Sequence, residues 1–560
     1  MGAERAALAE GARGALGLLG LLGLLGCASG GPAVAPPGPP PPEPAPPAAA
    51  RPLRATIFFT SDEHGGLLPN ERGARRFGGV GPLLAGLRAD GRCGEGERAV
   101  AFVPGTWTPP LVPDAGLDVA PVPPVTGCET RADATFLLSG GDNYTGPPVS
   151  GLYRGETTAA ALARLGYDAS ALGNHDFDFG REQFLRNRAV AGVRYLAANL
   201  HATDDASGTG STPWAEPYAV LERGGVRLGV VGLATKETPK VGAAKLFVGL
   251  GFEDEEQALA RTVPEVWRQG VDAVVVVAHV CHDEMEPIVA RHPEWHLAFV
   301  GTGHCHETHL AVQAGAPVVA PDWRFEHYAR VTLDIDRSRP EPGERARPTS
   351  HELVAVDSSL AVPQPSRDAA LDATLAGWQA EVDGKLGEVV GHARSGYPRR
   401  SETLGRWMTR AWRETYGADV AVTTLGAIRD DLPAGPIRVA TVYAIMPFDN
   451  DLVVCTVPGD ALAAMLREPK AVVSGLVCQE GRCTHEDGSP LDRARRYRVV
   501  VTDFLFHGGD GFRFHEVDPS PTFTGVNWRE PVLAWTRAHA PDEAHPLEAA
   551  LAAGPAPGRR

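Results

Sequence analysis

The sequence predicts an α/β chain: a layered α/β domain followed by a smaller α+β domain, behind an exported leader. Three observations carry that expectation. Short apolar, β-rich runs alternate with helix-like stretches through the first part of the chain. A proline-bearing break at Val362-Pro-Gln-Pro-Ser-Arg-Asp separates this region from a differently patterned one. The polar residues that follow the runs are repeatedly Asp, Asn and His, at the strand ends where open α/β sheets collect ligand-binding side chains.

The N-terminus reads as an export signal, because Ala15 to Gly26 is a short apolar run after Arg5 and Arg13, too short to span a bilayer comfortably. Leu24-Leu25-Gly26-Cys27 resembles a bacterial lipobox, which makes Cys27 the expected lipidation site. Residues 1–27 are therefore assigned to the signal and lipobox. Residues 28–52, rich in Pro and Ala, form a semi-rigid tether of polyproline character. The expected location is the bacterial cell envelope, at the outer membrane facing periplasm or surface, with membrane contact only through the lipid on Cys27.

The apolar runs are Ala55–Thr60, Thr135–Ser139, Leu228–Leu233, Ala273–Ala278 and Leu297–Val300, with helices expected at Gly155–Leu165 and Glu255–Gln269. They define a first domain over 53–355. A linker and connecting helix follow over 356–385, its helical spacing running from Asp368 to Lys385. A second domain covers 386–540, with a helix from Ser401 and turns at Ala434-Gly435, Pro458-Gly459 and Gly508–Gly511. The tail, 541–560, reads as weakly structured.

With 43% hydrophobic and 22% charged residues over 560 positions the chain is globular, while 65 Gly and 49 Pro imply many loops. A formal charge of −16 excludes nucleic-acid polymers and anionic membranes as partners of a basic face, so an anionic substrate needs local cations to hold it. Export permits disulfides, and seven of the eight cysteines lie beyond Cys27, which leaves at least one unpaired or intermolecular. Cys478 and Cys483 bracket a short turn, Cys93 and Cys128 flank the insertion from Arg92 to Ala134 that contains Trp107, and Cys281 and Cys305 read as packing or disulfide residues.

Five segments carry the chemistry. Asp62-Glu63-His64 offers a carboxylate and an imidazole after the first run, and Gly140-Gly141-Asp142-Asn143 lets backbone approach an ion that Asp142 can share with a second. Gly173-Asn174-His175-Asp176-Phe177-Asp178 adds a neutral amide ligand and a histidine that Asp178 can orient. His279 ends a valine-rich strand, and Gly303-His304-Cys305-His306 ends another. Singly, Asp62 or Asn174 reads equally as a helix cap and His279 as a satisfied core histidine; the joint pattern is that of a two-metal site. The O and N donors suit two divalent ions drawn from Zn, Mn, Co or Fe.

In this order the segments closely resemble the calcineurin-like metallophosphoesterases, and specifically the 5′-nucleotidase family, over roughly Arg54 to Ala538. The resemblance implies a four-layer α/β/β/α metallophosphoesterase sandwich plus a C-terminal substrate-binding domain. It implies that Asp62, His64, Asp142 and His306 hold one metal, that Asp142, Asn174, His279 and His304 hold the other, and that His175 with Asp178 is the catalytic dyad. In the second domain it implies that Phe448 and Phe504 sandwich a nucleobase, Asp510 bonds the ribose and Arg429 grips phosphate, with Asn450 beside them. An upstream arginine is Arg399 or Arg400. Thr424 stands where the family usually has an asparagine that contacts the base. The function implied is hydrolysis of nucleoside 5′-monophosphates for salvage. The alternatives are 2′,3′-cyclic nucleotides, UDP-sugars or dinucleotides as substrates, a sulfur-compound hydrolase, or a non-catalytic nucleotide-binding lipoprotein.

Overall fold

A computed structural model describes residues 51–72, 75–97, 128–203, 212–359, 368–479 and 482–553. The expected leader, Cys27, almost all of the tether, Trp107 and the proline-bearing break up to Arg367 lie outside the described residues.

Twelve strands of the first half are needed to place the site: β1 (Leu53–Thr60), β2 (Ala134–Ser139), β3 (Ala169–Ala171), β4 (Arg194–Leu196), β5 (Tyr218–Arg223), β6 (Val226–Ala234), β7 (Ala273–His279), β8 (Leu297–Thr302), β9 (Thr308–Gln313), β10 (Ala316–Pro321), β11 (His327–Ile335) and β12 (Ala346–Ala355). They form two six-stranded sheets, ordered β12-β11-β1-β2-β3-β4 and β9-β10-β8-β7-β6-β5. The central strands β1, β2 and β3 run parallel, as do β6, β7 and β8.

These strands read as unbroken apolar runs because both of their faces are covered. Val275 and Val277 of β7 meet Ile57 and Phe59 of β1 in a core between the sheets. Val274 and Val276, pointing the other way, pack under α4 (Glu255–Arg268) and α5 (His282–Arg291). The opposite face of the first sheet is covered by α1 (Val80–Ala89), α2 (Glu156–Leu165) and α3 (Arg181–Ala191). The layers are therefore helix, sheet, sheet, helix.

The expected connecting helix is α6 (Ala369–Leu386), capped by Asp368, whose carboxylate accepts the amides of Ala370 and Leu371. It is more than a connector, since its Leu371, Leu375, Trp378 and Val382 are buried in the core of the first half. The second half contains α7 (Glu402–Tyr416) and a five-stranded sheet built from Val420–Thr424, Asp451–Pro458, Ala471–Ser474, Arg496–Thr502 and Thr522–Asn527. One of its faces packs on α7 and α8 (Arg529–His539) through Trp407, Trp412 and Trp528.

Two expectations need correction. Pro458-Gly459 is a helix start rather than a turn, because Pro458 in extended conformation precedes a short helix over Gly459–Met465. The segment after residue 540 is structured through α9 (Leu547–Ala552), whose Leu547 is buried against the tryptophan-rich core, while Glu548 accepts the amides of Arg394 and Ser395. Among the described residues, three disulfides, Cys93–Cys128, Cys281–Cys305 and Cys478–Cys483, leave Cys455 free and buried. Among the described residues no helix is long and apolar enough to cross a membrane.

Candidate active site

The five polar segments follow the carboxyl ends of β1, β2, β3, β7 and β8, so parallel strands of both sheets deliver them to one place. The loops there are sewn together by backbone. Asp62 N–H donates to Gly141 O at 2.9 Å and His64 N–H to Asp142 O at 2.9 Å. Asp62, His64, Asp142, His304 and His306 all have positive φ, between 42° and 74°, a conformation non-glycine residues hold only where surrounding contacts over-determine it. A Cβ on Gly173 would fall 2.1 Å from Asp142 Oδ1, so glycine alone allows these two loops to touch.

The structure gathers all seven expected metal-site residues. Donor atoms of Asp62, His64 and His306 lie within 4.8 Å of one another, as do those of Asp142, His279 and His304. His64 Nε2 is 3.1 Å from His306 Nε2 and 3.6 Å from Asp142 Oδ2, and His279 Nε2 is 3.1 Å from both Asp142 Oδ2 and Asn174 Oδ1. Asp142 thus stands between the two groups. His64 Nδ1 donates to Thr145 O at 2.8 Å and His279 Nδ1 to Gly140 O at 2.9 Å, which turns each Nε2 inward.

The electrostatics are those of a cation site. Burial, reinforced by Arg429, pushes His64 and His306 well below an ordinary imidazole, and burial with the charge on His279 takes His304 down to about 4, so these rings are neutral donors. Burial also opposes charge on His279, but the charge and hydrogen bond of Asp142 outweigh it and raise His279 to about 10. The Asp142 carboxylate thus favours a positive charge beside it.

His175 Nδ1 lies 2.9 Å from Asp178 Oδ2, and although burial disfavours its charged form, Asp178 and Asp142 raise its pKa. Its ring stacks on Phe448 with centroids 5.0 Å apart and planes 22° apart. A cleft of about 530 Å³ opens here, lined by Asn174, His175, Asp178, His304 and His306 from the first half and by Arg400, Arg429, Phe448, Asn450, Phe504 and Asp510 from the second. Arg429 Nη2 donates to His64 Nε2 at 2.9 Å. Arg399 lies outside the cleft lining, its guanidinium 3.6 Å over the Trp323 ring and its Nη1 3.4 Å from His306 Nδ1. Thr424 Oγ1 donates to Asp510 Oδ2 at 2.7 Å, and the neighbouring Thr423 hydroxyl is buried without a partner.

Sequence reasoning passed over Asp176, Trp323, Arg324 and Asp430. The Asp176 carboxylate accepts the amides of Asn143 and Gly173 at 2.8 Å each and so locks the Asp142 loop to the Asn174 loop. Its place inside the Asn174 to Asp178 run was the available signal. Trp323 stacks on His306 at 5.1 Å, a contact no local pattern announces. Cys281 and Cys305, expected as packing or disulfide residues, are joined to each other beside the candidate ligands, Cys305 lying past the end of β8.

A family model described as 5′-nucleotidase, C-terminal domain, matches residues 384–516. A 5′-nucleotidase of Vibrio cholerae is 24% identical over 88% of this chain and 92% of its own length. A 5′-nucleotidase precursor of Thermus thermophilus superposes with a TM-score of 0.70 at 22% identity, over 87% of this chain and 96% of that one. The sulfate thiohydrolase SoxB of Thermus thermophilus has the same fold with a TM-score of 0.64 at 17% identity, over 86% and 94% of the two chains.

Proposed function

The chain belongs to the 5′-nucleotidase family, and from that premise we propose that it hydrolyses nucleoside 5′-monophosphates to nucleoside and phosphate outside the cytoplasm. One observation carries the reading. Arg429, a cation from the second half, lies against His64 of the first and 5.6 Å from the face of Phe448, which in turn stacks on His175. An anion grip, an aromatic platform and an acid/base histidine therefore meet on one side of the clustered donors.

Asp62, His64, Asp142 and His306 would hold one divalent ion and Asp142, Asn174, His279 and His304 a second. When bound, the ions supply Lewis-acid polarisation of the ester phosphate and acidify the attacking water. The protein's own groups do the rest. Asp178 engages His175 Nδ1, which leaves Nε2 as the nitrogen free to place a proton on the transferring phosphoryl group or the departing 5′-oxygen. Arg429, whose Nη2 here donates to His64 Nε2, would turn its guanidinium donors to the phosphate. Arg429 and Arg399 are each drawn down to about 10, first by burial and then, among other charges, by neighbouring arginines, so the site is locally cationic in a chain of charge −16.

Phe448 and Phe504 supply stacking surface for a base, and Asp510, with Oδ2 taken by Thr424, keeps Oδ1 for a ribose hydroxyl. The reaction named for the sulfate thiohydrolase SoxB makes no use of a nucleobase platform, which favours the nucleotide.

The test is hydrolysis of AMP, 2′,3′-cyclic AMP, UDP-glucose, a dinucleoside polyphosphate and a thiosulfonate, with Mn²⁺ or Zn²⁺ and after chelation. The expected result is highest kcat/KM on AMP, lost with chelator and restored by metal. Phe448→Ala raises KM for AMP about 5- to 150-fold, the equivalent of ~1–3 kcal/mol of stacking. A cyclic nucleotide or UDP-sugar outrunning AMP, or no effect of Phe448→Ala, would overturn the assignment.

A further inference from the structure

On the outer side of the Cys281–Cys305 disulfide is a second gathering of ligand-type side chains. His282 and Glu286 are four residues apart on α5 and so share one helical face. That helix packs over β9 and β10. Along β9 the exposure alternates, with Thr308, Leu310 and Val312 facing solvent and His309 and Gln313 turned toward α5.

The three residues His282, Glu286 and His309 each present one donor atom within 4.8 Å of the others. The imidazoles of His282 and His309 lie parallel, with centroids 3.9 Å apart and planes 5° apart. His309 Nε2 meets Glu286 Oε1, and Gln313 Nε2 donates to the other oxygen of Glu286 at 3.2 Å, which orients the carboxylate. His282 Nε2 lies 3.4 Å from Oε2 of Glu307, a carboxylate 63% exposed and so free to swing toward the other three. The side chains of His282, Glu286 and His309 are 20%, 21% and 26% exposed, open enough for an ion to enter and sheltered enough to hold it.

We propose that His282, Glu286 and His309, with Glu307 closing the set, form an additional divalent-cation site, distinct from the buried donors at the strand ends. Two imidazoles and two carboxylates suit a zinc-type borderline ion, for which four-coordination by N and O is ordinary, and two carboxylates balance its charge. Mg²⁺ and Ca²⁺, which take oxygen ligands, are disfavoured by the two nitrogens. Such an ion pins α5 to the edge strand β9 and braces, from outside, the 303–307 loop that carries His304 and His306. To take it, the stacked rings must rotate so that both lone pairs converge.

The test uses the full chain, stripped of metal with chelator and reloaded with Zn²⁺, and reads the zinc content per chain and the dissociation constant of each class of site. Glu286→Gln, chosen because it keeps shape and packing, is compared with His309→Ala. At the free zinc concentration that just fills the wild type, it is expected to hold one zinc more than either variant, whatever number the buried centre holds, because the additional site in Glu286→Gln binds at least about tenfold less tightly. Hydrolysis at saturating metal stays within a few-fold, so a failure of the proposed function and a failure of this site give different results. Equal zinc content in wild type and both variants, with unchanged dissociation constants, overturns the site. The thermal midpoint supplies a second readout: zinc should raise it further in the wild type than in Glu286→Gln, and identical shifts count against the proposal.

Discussion

At the scale of single residues, the active-site reading turns on His175. Its Nδ1 is committed to Asp178 and its ring is pressed on Phe448, so both its tautomer and its orientation are set before substrate arrives. Proton transfer by a positioned group contributes about 10²–10⁴-fold to rate. His175→Ala is therefore expected to lower kcat on AMP by about that factor while leaving metal content unchanged, because no metal-type donor depends on the ring. Asp178→Asn should give a smaller loss of the same kind. Loss of metal together with rate in His175→Ala would show that the histidine is a ligand instead. The phenylalanine expected to serve only the base also packs on this histidine, so replacing it with leucine, which keeps bulk without a π-face, separates the two roles through KM and kcat.

Between elements, the loop after β8 is held by Cys305, which ties it to Cys281 at the start of α5. A bridge spanning 24 residues restrains the unfolded chain by roughly 3 kcal/mol on the loop-entropy account, and here it also fixes two candidate ligands. Reduction by a phosphine that binds metals weakly is expected to lower the thermal midpoint and weaken metal affinity in the wild type. Cys281→Ser/Cys305→Ser should begin at the reduced values and not respond; equal responses in both proteins would exclude the disulfide as the cause. The strands, by contrast, were legible in the sequence because sheets covered on both faces demand continuous apolar runs, and the clustering of the candidate ligands was legible because they stand at the ends of those runs. Helix α9 was not, since six residues carry too little periodicity and its stability comes from burying Leu547 against a distant core. Asp176 stood in view inside the Asn174 to Asp178 run, but its role did not, because its closest partners are backbone amides, which leave no residue pattern.

Across the whole molecule, the cleft works only if the halves meet in register, and Arg324 is one of the side chains that join them. Arg324 is buried, its backbone N–H donates to Asp62 O at 2.8 Å, and its guanidinium donates to Asp430 at 2.9 Å and to Arg429 O at 2.9 Å. It also lies 4.1 Å over Trp323, the ring that backs His306. Arg324 thus holds the loop that carries Arg429, the proposed phosphate grip, against the metal-type donors without itself lining the cleft. Misplacement by about 1 Å can cost 10²-fold in rate. Arg324→Met is therefore expected to lower kcat/KM on AMP by about that much. Bis(4-nitrophenyl) phosphate, which needs no base platform, should lose less, and metal content should stay the same. Breaking a buried ion pair costs about 3–5 kcal/mol when the remaining charge stays dry; Asp430 is 28% exposed and can hydrate, so the loss here is smaller. A drop in stability could still mimic a functional one, and the double variant Arg324→Met/Asp430→Leu separates them: without an unpaired carboxylate its thermal midpoint recovers, while Arg429 remains unsupported and kcat/KM stays low. If the double variant regains full activity on AMP, Arg324 matters for stability alone and the registration of the two halves must lie elsewhere.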